Sequence, residues 1–261
     1  MKPSVFSVTL LFCLASLVSL GFAYQRDQSK WVTIFDGKTL DGWTPKIVGY
    51  KLGDDPLNTF RVEDGKLVVN YDQYGPEFKG RYGHLFYKTP LSNFRLRLEY
   101  RFVGDQVKGA PGWAWRNNGI MYDGEPAASM GLDQSYPVSM EFQLLGGDGS
   151  GNRPTGNLCT PGTNYEKDGK VITQHCTNST SPTLDGDQWV TAELEVRGTH
   201  VKHYINGKLV FEYDNPQLDP NDADGKALIK DGKLILTGGT VSLQSESHPT
   251  EFRNIEIMSL D

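Results

Sequence analysis

Glu141 and Gln143 stand one pleat repeat apart in the run Val138-Ser139-Met140-Glu141-Phe142-Gln143-Leu144-Leu145. Read with a period of two, Val138, Met140, Phe142 and Leu144 turn to one face, and Ser139, Glu141 and Gln143 to the other. The first is a core face. The second offers a carboxylate, which can take or give a proton, beside a carboxamide, which can donate to a hydroxyl or an oxyanion. The run ends in Gly146-Gly147-Asp148-Gly149, so Asp148 brings another carboxylate to the strand's end. A strand of this kind suits acid–base chemistry on a polyhydroxylated substrate. It suits the non-catalytic binding of such a molecule equally well.

Other residues could join it. His84, beside Leu85, Phe86 and Tyr87 on an expected strand, reads either as a structural histidine or as a base or ligand. His175 is next to Cys176 and either supports its loop or reaches a site rim. Gln244 and Glu246 share one face of a strand, so Glu246 can line the same surface as Glu141. His248 reads as a turn residue, and His200 and His203 as surface residues flanking a polar hairpin. Arg253 is either a stabiliser of developing negative charge or the partner of a buried carboxylate. Asn118 is an amide that could steady an oxyanion. Trp113 and Trp115 follow Gly109-Ala110-Pro111-Gly112, where indoles serve as sugar-stacking platforms or pack into the core. Asp148, Glu246 and His248 could hold Ca²⁺ or another divalent ion, although none has the spacing of a recognised loop and solvated carboxylates are the plainer reading.

Something must hold these groups, and the patterning says strands. Residues 94–102 alternate without a break: Phe94, Leu96, Leu98, Tyr100 and Phe102 against Arg95, Arg97, Glu99 and Arg101. Similar runs fall at 31–35, 60–62, 66–70, 84–88, 118–122, 138–145, 189–197, 200–205, 209–213, 234–237, 241–245 and 251–258. Asp64-Gly65 and Asn206-Gly207 are hairpin turns. No long 3.6-residue period occurs, so helix is minor. The expectation is an all-β fold of two packed antiparallel sheets, a sandwich or jelly roll. Residues 146–187, rich in Gly, Thr, Asn and Asp, read as one long loop at the rim of the Glu141 face.

Residues 1–23 have the parts of an export signal: Lys2, an apolar run from Val5 to Leu20, and Gly21-Phe22-Ala23 as the cleavage site. The apolar run is short for a membrane span. Removal of Cys13 with it leaves Cys159 and Cys176, which in an oxidising compartment form a disulfide. Residues 24–261 then read as one β-sandwich domain, periplasmic or extracellular. A formal net charge of −6 with scattered Lys and Arg gives no footprint for nucleic acid. Asn178-Ser179-Thr180 fits a glycosylation acceptor but reads as polar loop sequence.

Two end segments go beyond general β patterning: Trp31-Val32-Thr33-Ile34-Phe35-Asp36-Gly37-Lys38-Thr39-Leu40-Asp41-Gly42-Trp43, and the stretch from Val241 through Glu246-Ser247-His248-Pro249 to Arg253-Asn254-Ile255. With Asn117-Asn118-Gly119-Ile120, Met140-Glu141-Phe142-Gln143 and Tyr204-Ile205-Asn206-Gly207 between them, the chain resembles the 3-keto-disaccharide hydrolase domain family over roughly Trp31 to Leu260. The resemblance implies a concanavalin-like jelly roll and cleavage of glycosides oxidised at C3, by hydrolysis or elimination.

The residues constrain how. Jelly-roll glucanases carry Glu, Asp and Glu alternating on one strand, whereas here Gln143 replaces the Asp and Leu145 or Gly146 stands where the second Glu would be. Retaining hydrolysis needs two carboxyl groups about 5 Å apart, and this strand provides one. Ordinary two-carboxylate chemistry is therefore disfavoured unless Asp148 or Glu246 completes the pair. A 3-keto sugar needs less. Its ketone acidifies the C2 proton, a base removes it, the enolate expels the C1 substituent, and water can add to the alkene. Glu141 or a histidine is the expected base, with Gln143, Asn118, Arg253 or a divalent cation at the enolate oxygen. A glycan-binding module and an ordinary glycosidase are the rival readings.

Overall fold

Strict alternation lays the longest patterned segment across the middle of a sheet. Phe94, Leu96, Leu98, Tyr100 and Phe102 are buried, and the charged residues between them are half-buried on the opposite face. The computed structural model describes residues 30–261. The expected export signal and Cys13 lie outside the described residues.

The strands in chain order are β1 (Val32–Thr33), β2 (Trp43–Ile47), β3 (Phe60–Glu63), β4 (Lys66–Val69), β5 (Gly83–Tyr87) and β6 (Phe94–Phe102). Then come β7 (Asn117–Gly124), β8 (Met140–Leu145), β9 (Asn157–Cys159), β10 (Thr163–Lys167), β11 (Lys170–Ile172) and β12 (Cys176–Thr177). The last are β13 (Val190–Arg197), β14 (His200–Ile205), β15 (Lys208–Leu218), β16 (Thr240–Ser245) and β17 (Thr250–Ser259). The larger sheet has the order β11-β10-β15-β14-β13-β6-β17-β4-β3, with β1 on β17, and the smaller has β12-β9-β8-β7-β16-β5-β2. Pairing is antiparallel throughout both. The fold is the expected two-sheet jelly-roll sandwich. Among the described residues helix is confined to α1 (Ala223–Ala227), capped by Asp222, and two 3₁₀ turns.

The core lies between the sheets. Met140, Phe142 and Leu144 of β8, with Ile120, Leu85 and Leu243, meet Leu96, Leu98, Leu194 and Phe252. Each such side chain contributes about 1.5–3 kcal/mol on burial. This fixes the register of β8, because a slip by one residue would exchange Phe142 for Glu141 in the core. The expected alternation of the Glu141 strand is therefore what the sandwich contains. Asp64-Gly65 and Asn206-Gly207 both have positive φ at the two central positions (47° and 75°, 48° and 76°), the type I′ geometry that Asn-Gly and Asp-Gly favour.

Several expectations need correction. Residues 146–187 are not one loop, since β9 and β12 extend the smaller sheet while β10 and β11 extend the larger. These strands are too short and polar to show periodicity. β2 is absent from the expected set because Pro45 masks it, and it survives as an edge strand, where proline is tolerated. Residues 234–237 make a single bridge, Gln217↔Ile235, rather than a strand. His203 is fully buried, not a surface residue, because it shares the inward face of β14 with Val201 and Ile205. Its ring stacks on Phe142 at 4.1 Å; Nδ1 donates to the Gly156 carbonyl, which leaves Nε2 to accept from the Tyr122 hydroxyl. Burial pushes its pKa down to about 4, so it is a neutral core residue.

Candidate functional site

The face of the smaller sheet turned away from the core carries the polar side chains. β2, β5 and β16 bring Lys46, His84 and Gln244 into one row, and β7, β8 and β9 bring Gly119, Gln143 and Asn157 into another. Glu141 lies opposite Met121 on one side and Cys159 on the other. Its side chain folds flat over Gly119: a Cβ there would stand 2.6 Å from Glu141 Oε1 and 2.8 Å from its Cγ. The φ of Gly119 is outside the left-handed region. Space for the carboxyl, not backbone freedom, is what requires glycine at this position.

Above the sheet is a cavity of about 360 Å³. Glu141, Gln143 and Asn117 rise from its floor, Glu246 enters from the end of β16, and Tyr82, Trp113 and Tyr136 wall it with His175 and the Cys159–Cys176 disulfide. The two cysteines are directly opposed on β9 and β12, as the expected bridge requires. Gln143 accepts through Oε1 from Asn157 Nδ2 at 2.9 Å, which orients the amide and leaves its N–H donors for the cavity. Trp113 stays 56% exposed and stacks on Tyr82, with ring centroids 6.2 Å apart. An indole that open covers the sugar-sized space without serving the core.

The electrostatics centre on two carboxyl groups. Both Glu141 and Glu246 are buried. Burial raises Glu246 to about 8, although the Tyr136 hydroxyl donating to Oε1 at 2.9 Å and the charge of Arg153 pull the other way. Glu141 is raised well above the carboxylate range, first by burial and then by the charge of Glu246. The order follows: Glu246 ionises first, and its charge keeps the proton on Glu141. Gln244 Nε2 is 3.4 Å from Glu246 Oε1, and Glu246 Oε2 has no partner among the described residues.

The remaining candidates divide. His175 is on the rim of this cavity. Asp148 and Trp115 line an adjoining cleft of about 700 Å³ that shares Trp113, Asn117 and Gln143 with it. Asp148 is exposed and accepts from the Ser150 N–H and hydroxyl, each at 2.7 Å. His84 is buried beneath Tyr136, ring centroids 5.9 Å apart, and both its nitrogens lack partners among the described residues. Burial and, less, Lys46 push it down to about 3, which makes a proton-carrying role at neutral pH unfavourable.

Two candidates fall outside the site. Asn118 has the wrong parity: it shares the core face with Ile120, accepts from Gly119 N, and donates to Thr250 Oγ1 of the opposite sheet at 3.3 Å. Its neighbour Asn117 has the site-facing parity. Arg253 is on β17 of the larger sheet, paired with Glu99 at 2.5 Å and lying over the Trp189 ring. The paired-carboxylate alternative is the one the structure realises there. A metal fits poorly. Among the described residues no three His, Cys, Asp or Glu side chains gather as a ligand set. His248, proposed with Asp148 and Glu246, is packed between Phe102 and Trp115. No step below runs through a metal ion.

Tyr82, Tyr136, Asn117, Gly119 and Arg153 were not among the sequence candidates. Parity could have found Asn117 and Gly119, whereas Tyr136 lies in a connection whose path no local pattern encodes.

Comparison with known proteins agrees with this architecture. The profile of the 3-keto-alpha-glucoside-1,2-lyase-like domain family matches residues 30–258. A protein of Bacteroides thetaiotaomicron named 3-keto-disaccharide hydrolase is 26% identical over 254 residues, covering 90% of this chain and 80% of that one. A crystal structure from Parabacteroides distasonis, named as a candidate glycosyl hydrolase, superposes with a TM-score of 0.51 at 20% identity, over 88% of this chain and 94% of the other. A Bacillus subtilis protein of galectin-like fold aligns at a TM-score of 0.50 and 9% identity, over 86% and 94% of the two chains.

Proposed function

The chain belongs to the 3-keto-alpha-glucoside-1,2-lyase-like domain family, and from that premise we propose that it cleaves the glycosidic bond of sugars oxidised at C3. The observation that carries this reading is the pair Glu141 and Glu246, two buried carboxyls on one cavity with unequal, raised proton affinities. The name of the Bacteroides relative supports the same substrate class.

The roles follow from the order of ionisation. Glu246, which loses its proton first, takes the C2 hydrogen that the adjacent ketone has acidified. The C–H electrons pass into the C2–C3 bond and onto O3, and Gln143 and Asn117 supply neutral N–H donors for that oxyanion. Collapse of the enolate restores the ketone, forms a C1–C2 double bond and expels the C1 oxygen. Glu141, still protonated, gives its proton to that leaving oxygen. Water adding at C1, with a proton returned to C2, completes net hydrolysis; release before this step makes the reaction an elimination. A base with a pKa near the working pH suits a carbon acid of this strength. Trp113 gives the ring an apolar face to stack on. This reverses the expected part of Glu141, from base to acid.

The Cys159–Cys176 bridge accords with an oxidising compartment. We place the reaction outside the cytoplasm, with residues 1–23 as the export signal and residues 24–261 as the working domain. Among the described residues no helix is long and apolar enough to cross a membrane.

Glu246 also favours a second reading. It provides the second carboxyl that the β8 strand lacks, so an ordinary two-carboxylate glycosidase becomes possible. Product analysis of a glucoside panel, with and without prior oxidation at C3, separates the two. Turnover of the oxidised members alone supports the keto-glycoside enzyme. Cleavage of unoxidised glucosides overturns it in favour of the glycosidase, and binding without any cleavage overturns it in favour of a glycan-binding module.

A further inference from the structure

Arg153 is half-buried at the junction of three segments, 112–116, 146–153 and 183–187, and it touches all of them. Its Nη1 donates to the carbonyls of Arg116 at 3.0 Å and Gly146 at 2.5 Å. Its Nη2 donates to the carbonyls of Trp113 at 3.3 Å and Trp115 at 2.6 Å. Its own backbone N–H donates to Thr183 Oγ1 at 2.7 Å. The guanidinium therefore ties both ends of the Trp113 turn to Gly146, the residue that directly follows β8. Among the described residues no carboxylate lies within ion-pairing distance of it; its charge is met by these carbonyl dipoles and by the face of the Trp115 ring, 5.7 Å from the guanidinium carbon. A structural arginine on a surface needs neither feature.

We propose that Arg153 is a positioning residue that holds the Trp113 platform at a fixed height over the Glu141 strand and so sets the affinity of the site for a sugar ring. This rests on the reading of the cavity as a sugar site, not on the chemistry that follows binding. A planar guanidinium can meet four carbonyls from one position, and an ammonium with its three donors cannot reproduce that fork. The charge has a separate effect, because Arg153 favours the ionised form of Glu246. A lysine keeps the charge and loses the fork; a methionine loses both. The two functions of the side chain can thus be read apart.

The test uses the full exported chain with Arg153→Lys and Arg153→Met. Affinity is measured by calorimetry for a 3-keto-disaccharide and for its parent disaccharide, and the glutamate carboxyl carbons are titrated by NMR without ligand. Both variants should weaken sugar binding by up to about tenfold, the loss expected when the stacking contact with Trp113 is no longer held in place. Glu246 should titrate as in wild type in Arg153→Lys and at higher pH in Arg153→Met. Unchanged affinity in folded Arg153→Lys overturns the proposal even if Arg153→Met fails to fold. A wild type that binds the sugar, loses affinity in Arg153→Lys and never cleaves either compound leaves the proposal standing and removes the enzymatic reading instead.

Discussion

Glu141 reaches the cavity from β8 and Glu246 from just past the end of β16, and the charge of Glu246 helps hold the proton on Glu141. Both are buried, yet neither is paired with a basic side chain within salt-bridge distance among the described residues. Isolated ionised carboxyls in such a place are costly, and the structure meets that cost by raising both proton affinities. What results is an acid and a base of the same chemical type, distinguished by their surroundings alone.

Removing either carboxyl should therefore slow turnover in a different way. Glu141→Gln and Glu246→Gln should each lower kcat/KM by about 10²–10⁴-fold. Glu141→Gln should retain sugar affinity and should suffer most for substrates with a poor leaving group, because the lost proton goes to that oxygen. A Glu141→Gln enzyme equally impaired for phenolic and sugar leaving groups would remove the acid role.

The Gly119 position tests geometry rather than chemistry. An added methyl would stand 2.6 Å from Oε1, 2.8 Å from Cγ and 3.0 Å from Cδ of the buried Glu141 side chain, so in Gly119→Ala that side chain must swing aside, with a lowered Tm and a displaced carboxyl. A displacement of about 1 Å costs roughly 10²-fold in rate. Full activity in Gly119→Ala would show that Glu141 does not act from its observed position.

Buried titratable groups give the stability a definite pH dependence. The folded state raises Glu246 to about 8 and Asp123 to about 7, and it raises Glu141 well above the usual carboxylate range. Folded protein then holds more protons than unfolded chain above pH 4.5, so stability falls as pH rises through 7 and 8. Buried His84, His203 and His248 are lowered to about 3, 4 and 4. These have the opposite sign: the unfolded chain binds the extra protons, and stability is lost as pH falls below 6.5. The two sets oppose each other between about 4.5 and 6.5. Tm measured by circular dichroism should be highest in that window and should drop between pH 6.5 and 8.5; a Tm that rises over the latter interval would contradict the buried pair.

The disulfide closes a separation of 17 residues and should contribute about 3 kcal/mol. Cys159→Ser with Cys176→Ser should lower stability by that amount in denaturant titrations. Sugar affinity should fall as well, since the bridge is part of the cavity wall. Unaltered affinity would mean that β12 and His175 stay in place without it.

The parts of this molecule legible from sequence are those fixed by period two. Strand 94–102 has the expected bounds, and the two faces of the Glu141 strand follow from Met140, Phe142 and Leu144. The same parity would have rejected Asn118 and placed His203 inside. The meeting of Glu246 with Glu141 was foreseeable only as a shared face, because β16 and β8 are joined through β7, a non-local pairing that register alone determines. Tyr136 and Arg153 were hidden altogether: both act from irregular segments, where position depends on distant carbonyls and carboxyls rather than on neighbours in the chain.

The most direct measurement is the reaction of a 3-keto-glucoside in D₂O, with the cleaved sugar analysed by NMR or mass spectrometry against an enzyme-free control. Removal of the C2 proton and its return from solvent predict deuterium at C2 of the hydrolysed product, formed at the rate of cleavage and lost in Glu246→Gln. Rapid cleavage that leaves C2 fully protonated would contradict the enolate route and with it the division of roles between Glu141 and Glu246.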